Sequence, residues 1–167
     1  MEVSVDLNVD KEDFFDFLYD SVINDVKNST GKIISRDKVA KGYTYEKNVK
    51  NNKGKLINIK ITIMDFTPCE KYVARVRTEQ GENRMSYIID DLGEEKINVT
   101  YGEDYIAPSI FKELKFKALN FFHKKTLRKE AKSNLIDIET YIKNANFVSH
   151  FANFAKIIFL LTKFGRI

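Results

Sequence analysis

The chain has 167 residues, of which 43% are apolar and 31% charged, and its formal net charge at pH 7 is +4. A chain of about 150 residues can fold as one domain with a sizeable core, and this composition excludes an intrinsically disordered protein. The single cysteine excludes an intramolecular disulfide framework and favours a cytoplasmic setting. The first residues lack a basic segment followed by an apolar one, so we expect no signal peptide.

The N-terminal segment predicts a strand followed by a helix. Residues 2–9, EVSVDLNV, alternate apolar and polar side chains, as in a strand with one buried face. Asp10 is the predicted N-cap of a helix that ends near Gly31. The apolar side chains of this helix recur at helical spacing, at Phe14, Phe15, Leu18, Val22 and Val26. We expect its acidic residues to face solvent.

Five more strand patterns follow a polar connection from Lys32 to Lys41. They are GYTYEKNV, KLINIKITIMDF, KYVARVRTE, NRMSYIIDD and KINVTYGEDYI. The turns between them are too short for crossover helices, so neighbouring strands should pair antiparallel. Each pattern has one apolar row, which requires a covering layer. The helix-forming stretch from Pro108 to Ala145 supplies that layer.

The predicted architecture is therefore α+β, in the order strand, helix, five-stranded meander, long helix. In the segments FFDFLYDSVINDVKNSTGK, KGYTYEK, INVTYGEDY and FFHKKTLRKEAK, the chain resembles an uncharacterised domain-of-unknown-function family of small Gram-positive bacterial proteins. The order of elements in this chain resembles the helix-grip fold of the START-like (SRPBCC) superfamily. The resemblance implies a curved antiparallel sheet of about six strands that grips a long C-terminal helix. It also implies a cavity that holds lipids, sterols, polyketides or other hydrophobic ligands.

We assign residues 1–145 to the helix-grip domain and residues 146–167 to an amphipathic C-terminal helical extension. The apolar face of the long helix shifts by about 140° near residue 123, so the helix bends there or its halves pack on different partners. We expect the second half to pack on the extension, or in a homodimer on a second subunit. Its apolar residues are Leu127, Ala131, Leu135, Ile138 and Ile142. Lys156 near the centre of the extension disfavours a membrane span.

The candidate ligand-binding residues lie on the inward rows of the sheet and of the long helix. They are Tyr45, Tyr87, Tyr101, Phe111, Leu114, Ala118 and Phe121. Buried hydroxyl groups require hydrogen-bond partners, and in a hollow fold a ligand can provide them. The alternative is that these tyrosines are ordinary core side chains.

The long helix also carries a basic run that predicts contact with an anionic surface. The run consists of Lys112, Lys115, Lys117, Lys124, Lys125, Arg128, Lys129 and Lys132. Lysines and arginines near an anionic membrane attract it reversibly, and a solvated helix face is the alternative. Nucleic acid ranks last because no nucleic-acid-binding motif accompanies the charge.

The sequence contains no common catalytic or metal-binding motif. His123 and His150 lack further ligands at suitable spacing, and Cys69 lies in a predicted turn. We therefore expect no cofactor and no metal, and favour non-catalytic binding of a hydrophobic small molecule or lipid. A cofactor-independent hydrolase or cyclase that uses tyrosine and histidine stays open as an enzyme reading, although no residue specifically favours it. The alternative is an interaction module with a self-filled core that docks on an anionic membrane or a protein partner. We expect a cytoplasmic protein. If it is an interaction module, we also expect peripheral contact with the membrane.

Overall fold

A computed structural model describes residues 1–50, 54–79, 81–106 and 110–147, and in the last range the side chains of residues 125–145. A strand and a helix come first, then a short 3-10 turn, four more strands and a final strand leading into a long helix. In chain order the elements are β1 (Glu2–Leu7), α1 (Lys11–Thr30), the 3-10 turn Arg36–Lys38, β2 (Thr44–Lys50), β3 (Leu56–Thr67), β4 (Lys71–Thr78), β5 (Gly81–Gly93), β6 (Lys96–Ile106) and α2 (Ile110–Phe147). The predicted order of elements is confirmed.

The six strands form one antiparallel sheet in the order β1-β6-β5-β4-β3-β2. Strands β2 to β6 are a meander, and β1 extends the sheet beyond β6 as an edge strand. In this pair Val5 lies opposite Val99. Successive side chains of a strand alternate between the two faces of the sheet, so the apolar row of each strand lies on one face. That face packs against the helices. This face carries the core and is called the inner face below.

A β-bulge between Ile63 and Asp65 changes which residues of β3 face inward. Before the bulge the inward residues are Ile59, Ile61 and Ile63, which are all buried. Strict alternation would then turn Asp65 inward. The extra residue shifts the phase by one, so Phe66 instead lies opposite Tyr72 on the inner face.

Helix α1 begins and ends where its sequence predicts. Asp10 is the N-cap, although its side chain makes no capping hydrogen bond, and Gly31 adopts the left-handed conformation with φ 71°. The Gly31 N–H donates to the Lys27 carbonyl, a C-terminal cap that glycine adopts without steric cost. One prediction is wrong: the acidic residues of α1 do not all face solvent, because Asp25 is 3% exposed.

Helix α2 is continuous through the point where its apolar face shifts, so the helix does not break there. Its second half packs on the body of the same chain. Four of its residues belong to the main core: Ala131, Leu135, Ile138 and Ile142. Tyr141 contacts Phe17 of α1 with ring centroids 5.6 Å apart, and Asn8, next to β1, donates to Glu139. The expected packing of this face on the extension or a second subunit is therefore wrong.

The predicted C-terminal extension falls largely outside the described residues. Helix α2 runs through the predicted boundary between residues 145 and 146 and ends at Phe147. No helix in the described part of the chain is long and apolar enough to cross a membrane.

Candidate functional site

Three tyrosines lie side by side across the middle of the inner face. Tyr72 of β4 is opposite Tyr87 of β5, and Tyr87 is opposite Tyr101 of β6. Their ring centroids are 6.3 and 5.2 Å apart, and each side chain is at most 9% exposed. Cross-strand aromatic pairs of this kind stabilise a sheet by packing. These three side chains are called the tyrosine row below.

Helix α1 contacts the middle of the tyrosine row directly and its Tyr72 end through Phe66. The Phe14 ring lies 6.1 Å from the Tyr87 ring, and Phe15 meets Phe66 edge to face at 5.6 Å. Phe66 in turn contacts Tyr72 at 5.6 Å, so the aromatic layer is continuous from α1 to the sheet. The rings of this layer are therefore packed between α1 on one side and the sheet on the other.

The hydroxyl groups of the tyrosine row are incompletely paired. Within the described residues, no hydrogen bond is made by the hydroxyl of Tyr72 or of Tyr87. The Tyr101 hydroxyl lies 3.5 Å from Glu103 Oε2, longer than the usual 2.5 to 3.0 Å of such a bond. Burial raises the pKa of Tyr72 and of Tyr87 far above the ordinary value of 10.0. These phenols therefore stay protonated at neutral pH and are available as hydrogen-bonding groups.

A polar pair follows the tyrosine row towards the end of β6. Asn83 and Glu103 lie on the inner face by strand alternation, two residues from Met85 and Tyr101 respectively, which are both buried. Asn83 Nδ2 donates to Glu103 Oε1 at 2.5 Å. Burial raises the pKa of Glu103, and the hydrogen bond from Asn83 opposes this effect. The inner face is therefore polar at this end, close to where α2 begins at Ile110.

Tyr45 lies apart from the tyrosine row, because β2 is separated from β5 by β3 and β4. Its hydroxyl donates to Asp25 Oδ2 at 2.5 Å, and Lys47 Nζ lies 2.8 Å from both Asp25 carboxylate oxygens. Burial, followed by the charge of Asp25, raises the pKa of Tyr45. Of the predicted ligand-binding tyrosines, Tyr87 and Tyr101 thus lie together, whereas Tyr45 is committed to a contact between β2 and α1.

The remaining predicted ligand-binding residues belong to the first half of α2. Their side chains fall outside the described residues, so their part in the site stays a prediction: Phe111, Leu114, Ala118 and Phe121. The same holds for half of the basic run, Lys112, Lys115, Lys117 and Lys124. The other half is described: Lys125, Arg128, Lys129 and Lys132 are all exposed. None of these four forms an ion pair with another described residue.

The sequence interpretation missed several members of the site. The predicted ligand-binding residues do not include Tyr72, Asn83 or Glu103. Strand alternation was the available signal, since Asn83 precedes Met85 by two residues and Glu103 follows Tyr101 by two. Nothing in the sequence reveals the bulge that brings Phe66 to Tyr72.

The other chemical groups singled out in the sequence do not join this site. Cys69 lies in the turn between β3 and β4 with φ 61°, and burial raises the pKa of its thiol, which lowers its reactivity. The side chains of His123 and His150 fall outside the described residues. Among the described residues, no three His, Cys, Asp or Glu side chains come together as a metal site.

Comparison with solved structures places the fold in a known class. The Zhui aromatase/cyclase from Streptomcyes sp. R1128 aligns with a TM-score of 0.59 and 10% identity, covering 91% of this chain and 98% of that one. A conserved protein from Geobacillus kaustophilus aligns at 0.53 with 14% identity, covering 86% and 95% of the two chains. Ara h 8.0201 aligns at 0.53 with 9% identity, covering 86% and 97%. The chain has the helix-grip fold.

Residues 1–124 match the model of a family described as Domain of unknown function (DUF3284). The chain belongs to this family. No curated protein matches the sequence.

Proposed function

We propose that the protein binds a hydrophobic small molecule or lipid between the inner face of the sheet and α2, and releases it unchanged. The observation that carries this proposal is the pair of hydroxyls on the buried side chains of Tyr72 and Tyr87, which make no hydrogen bond within the described residues. Buried hydroxyl groups are paired in the large majority of cases, so a core filled only by side chains would be expected to provide partners. A bound molecule that reaches the tyrosine row would do so instead.

The chemistry of the described residues favours binding over turnover. The raised pKa of Tyr72 and of Tyr87 keeps both phenols protonated, so neither is a base or a nucleophile at neutral pH. The raised pKa of the Cys69 thiol likewise disfavours a nucleophilic role. One neighbour in fold is an aromatase/cyclase, but at 10% identity this similarity concerns the fold alone.

Native mass spectrometry of the freshly purified full chain tests the proposal. We expect a bound mass on the order of a few hundred daltons that disappears on denaturation, consistent with a ligand that fits a protein pocket. Tyr87→Phe should lower its occupancy, whereas Tyr43→Phe, at a half-buried tyrosine beside β2, is the matched control and should retain it. A chain that carries no extra mass and gains none from a lipid extract would contradict the proposal.

A second candidate function is reversible docking on an anionic membrane. The observation in its favour is the cluster Lys125, Arg128, Lys129 and Lys132, exposed along two turns of α2 without ion pairs to the described residues. Near an anionic leaflet each such cation contributes about 1 kcal/mol, so four give a useful attraction. Helical periodicity places them within an arc of about 100°, so all four can face one surface.

Sedimentation with phosphatidylserine vesicles at low salt tests this docking. Lys125→Glu with Lys129→Glu should reduce the bound fraction strongly. The matched control is Lys27→Glu with Lys32→Glu, which changes the net charge equally at two other exposed lysines. Equal losses for the two pairs would mean that only net charge matters and would contradict a defined docking face.

A further inference from the structure

The polar end of the inner face contains an acceptor that no described residue satisfies. Asn83 Oδ1 is buried and has no hydrogen-bond partner in the described part of the chain, whereas the nitrogen of the same amide, Nδ2, donates to Glu103. Leaving a buried acceptor unpaired is costly, and native proteins contain few such atoms. The amide oxygen therefore marks a position where another molecule is expected to donate.

Among the described residues, the Glu103, Met85 and Val76 side chains beside Asn83 offer no donor to this atom. On the inner face Asn83 lies opposite Tyr105 of β6 and diagonal to Glu103, which is opposite Met85. The Glu103 carboxylate only accepts hydrogen bonds when ionised, and the Met85 side chain is apolar. On the other flank, Asn83 faces Val76 of β4, which is also apolar.

The same neighbours define what kind of group would fit. A donor that reached Asn83 Oδ1 would lie beside the Glu103 carboxylate, whose Oε2 atom accepts, among the described residues, only the long hydrogen bond of 3.5 Å from the Tyr101 hydroxyl. The tyrosine row then continues as an aromatic surface for the apolar part of the same molecule. The arrangement thus combines two adjacent acceptors with a buried aromatic layer.

We propose that the molecule bound at this site is a hydroxylated hydrophobic compound, whose hydroxyl group donates to Asn83 Oδ1 beside Glu103. This inference rests on the proposed function and adds the polar group by which the ligand is oriented. A site that uses buried acceptors to bind a hydroxyl group discriminates against an analogue that cannot donate, because the acceptors are then left unpaired. Ether or hydrocarbon analogues of equal shape are therefore bound less tightly.

Two naphthalene probes test this selectivity directly. 2-Naphthol carries one donor, and 2-methoxynaphthalene has a similar ring system but no donor. We expect the full chain to bind 2-naphthol about tenfold more tightly, as judged by the fluorescence of the probes, because that ratio corresponds to one satisfied buried acceptor. Asn83→Leu should weaken 2-naphthol binding until the two dissociation constants agree.

Asn98→Leu is the matched control, since Asn98 lies in the same sheet but on the outer face, where it donates to Asp6. It should retain the tenfold preference. If Asn83→Leu does not fold, Glu103→Gln provides a second measurement: the new side-chain amide has N–H donors that can satisfy Asn83 Oδ1 in place of the ligand, so the preference should fall.

The outcomes separate the two proposals. If the wild-type chain binds both probes with dissociation constants within about twofold, or if Asn83→Leu keeps the preference, hydrophobic binding stands and the hydroxyl-selective site is refuted. If neither probe binds, the proposed function and this inference are refuted together.

Discussion

The ammonium group of Lys47 lies 2.8 Å from both carboxylate oxygens of Asp25, although the two side chains are only 7% and 4% exposed. Lys47 projects from the inner face of the edge strand β2, and Asp25 from the buried side of α1. The Tyr45 hydroxyl completes the group by donating to the same carboxylate. This buried ion pair fixes α1 against the edge of the sheet.

Removing one partner of this ion pair should destabilise the fold strongly. Lys47→Met leaves the Asp25 carboxylate buried without a cation, and we expect the free energy of unfolding to fall by about 3 to 5 kcal/mol. Urea unfolding followed by circular dichroism measures this change. The double variant Asp25→Leu with Lys47→Met should recover most of the loss, because no charge is then left buried. A double variant as unstable as the single one would contradict this account.

The tyrosine hydroxyls should differ in their contribution to stability. Tyr45→Phe removes a hydrogen bond to a buried carboxylate and should lower the free energy of unfolding by about 1.5 to 3 kcal/mol. Tyr72→Phe removes a hydroxyl without a partner among the described residues and should change it by less than about 0.5 kcal/mol. Urea unfolding of the ligand-free chain compares them. Equal losses would mean that the Tyr72 hydroxyl has a partner of its own.

Glu139 should make stability fall at acidic pH. Burial raises its pKa, but hydrogen bonds from Lys143 and from Asn8 outweigh burial and lower the pKa below the ordinary 4.5. The unfolded chain therefore binds the proton more readily, and the stabilisation is present above pH 4.5 and lost as the pH falls through the lowered pKa. The difference in Tm between wild type and Glu139→Gln should shrink over that range. A difference independent of pH would contradict this linkage.

Glu103 should have the opposite dependence. Because its pKa is raised in the folded state, the folded chain holds the proton more tightly than the unfolded one. Its contribution is favourable below the ordinary pKa of 4.5 and is lost as the pH rises through the raised value. Glu103→Gln should remove this loss, so the variant gains stability relative to wild type as the pH rises. Melting curves from about pH 4 to about pH 7 measure the crossover.

Alternation and spacing were enough to predict the order of elements, the antiparallel meander and most of the core. Val3, Leu7, Phe14 and Val99 are buried as their periodicity predicts. These features are local, since a strand or helix with one apolar face must bury that face somewhere. Tyr87 and Tyr101 were also found in this way, because each belongs to such a row.

The sequence pattern did not predict that some polar side chains lie on the apolar face of the sheet. Lys47, Asn83 and Glu103 follow the inward phase of their strands, yet a charged or amide side chain is usually read as solvent-facing. Each is accommodated by a partner distant in sequence: Lys47 by Asp25, and Asn83 by Glu103. Sequence spacing alone does not identify such partners.

The sequence by itself determined which elements form and which face of each becomes buried, because these depend on periodicities of a few residues. The tertiary structure decided which distant segments of the chain contact one another. It packed the second half of α2 on the core of its own chain, turned Phe66 inward through a bulge, and aligned Tyr72, Tyr87 and Tyr101 in register. These outcomes depend on strand register and on contacts between distant segments, which local periodicity does not specify.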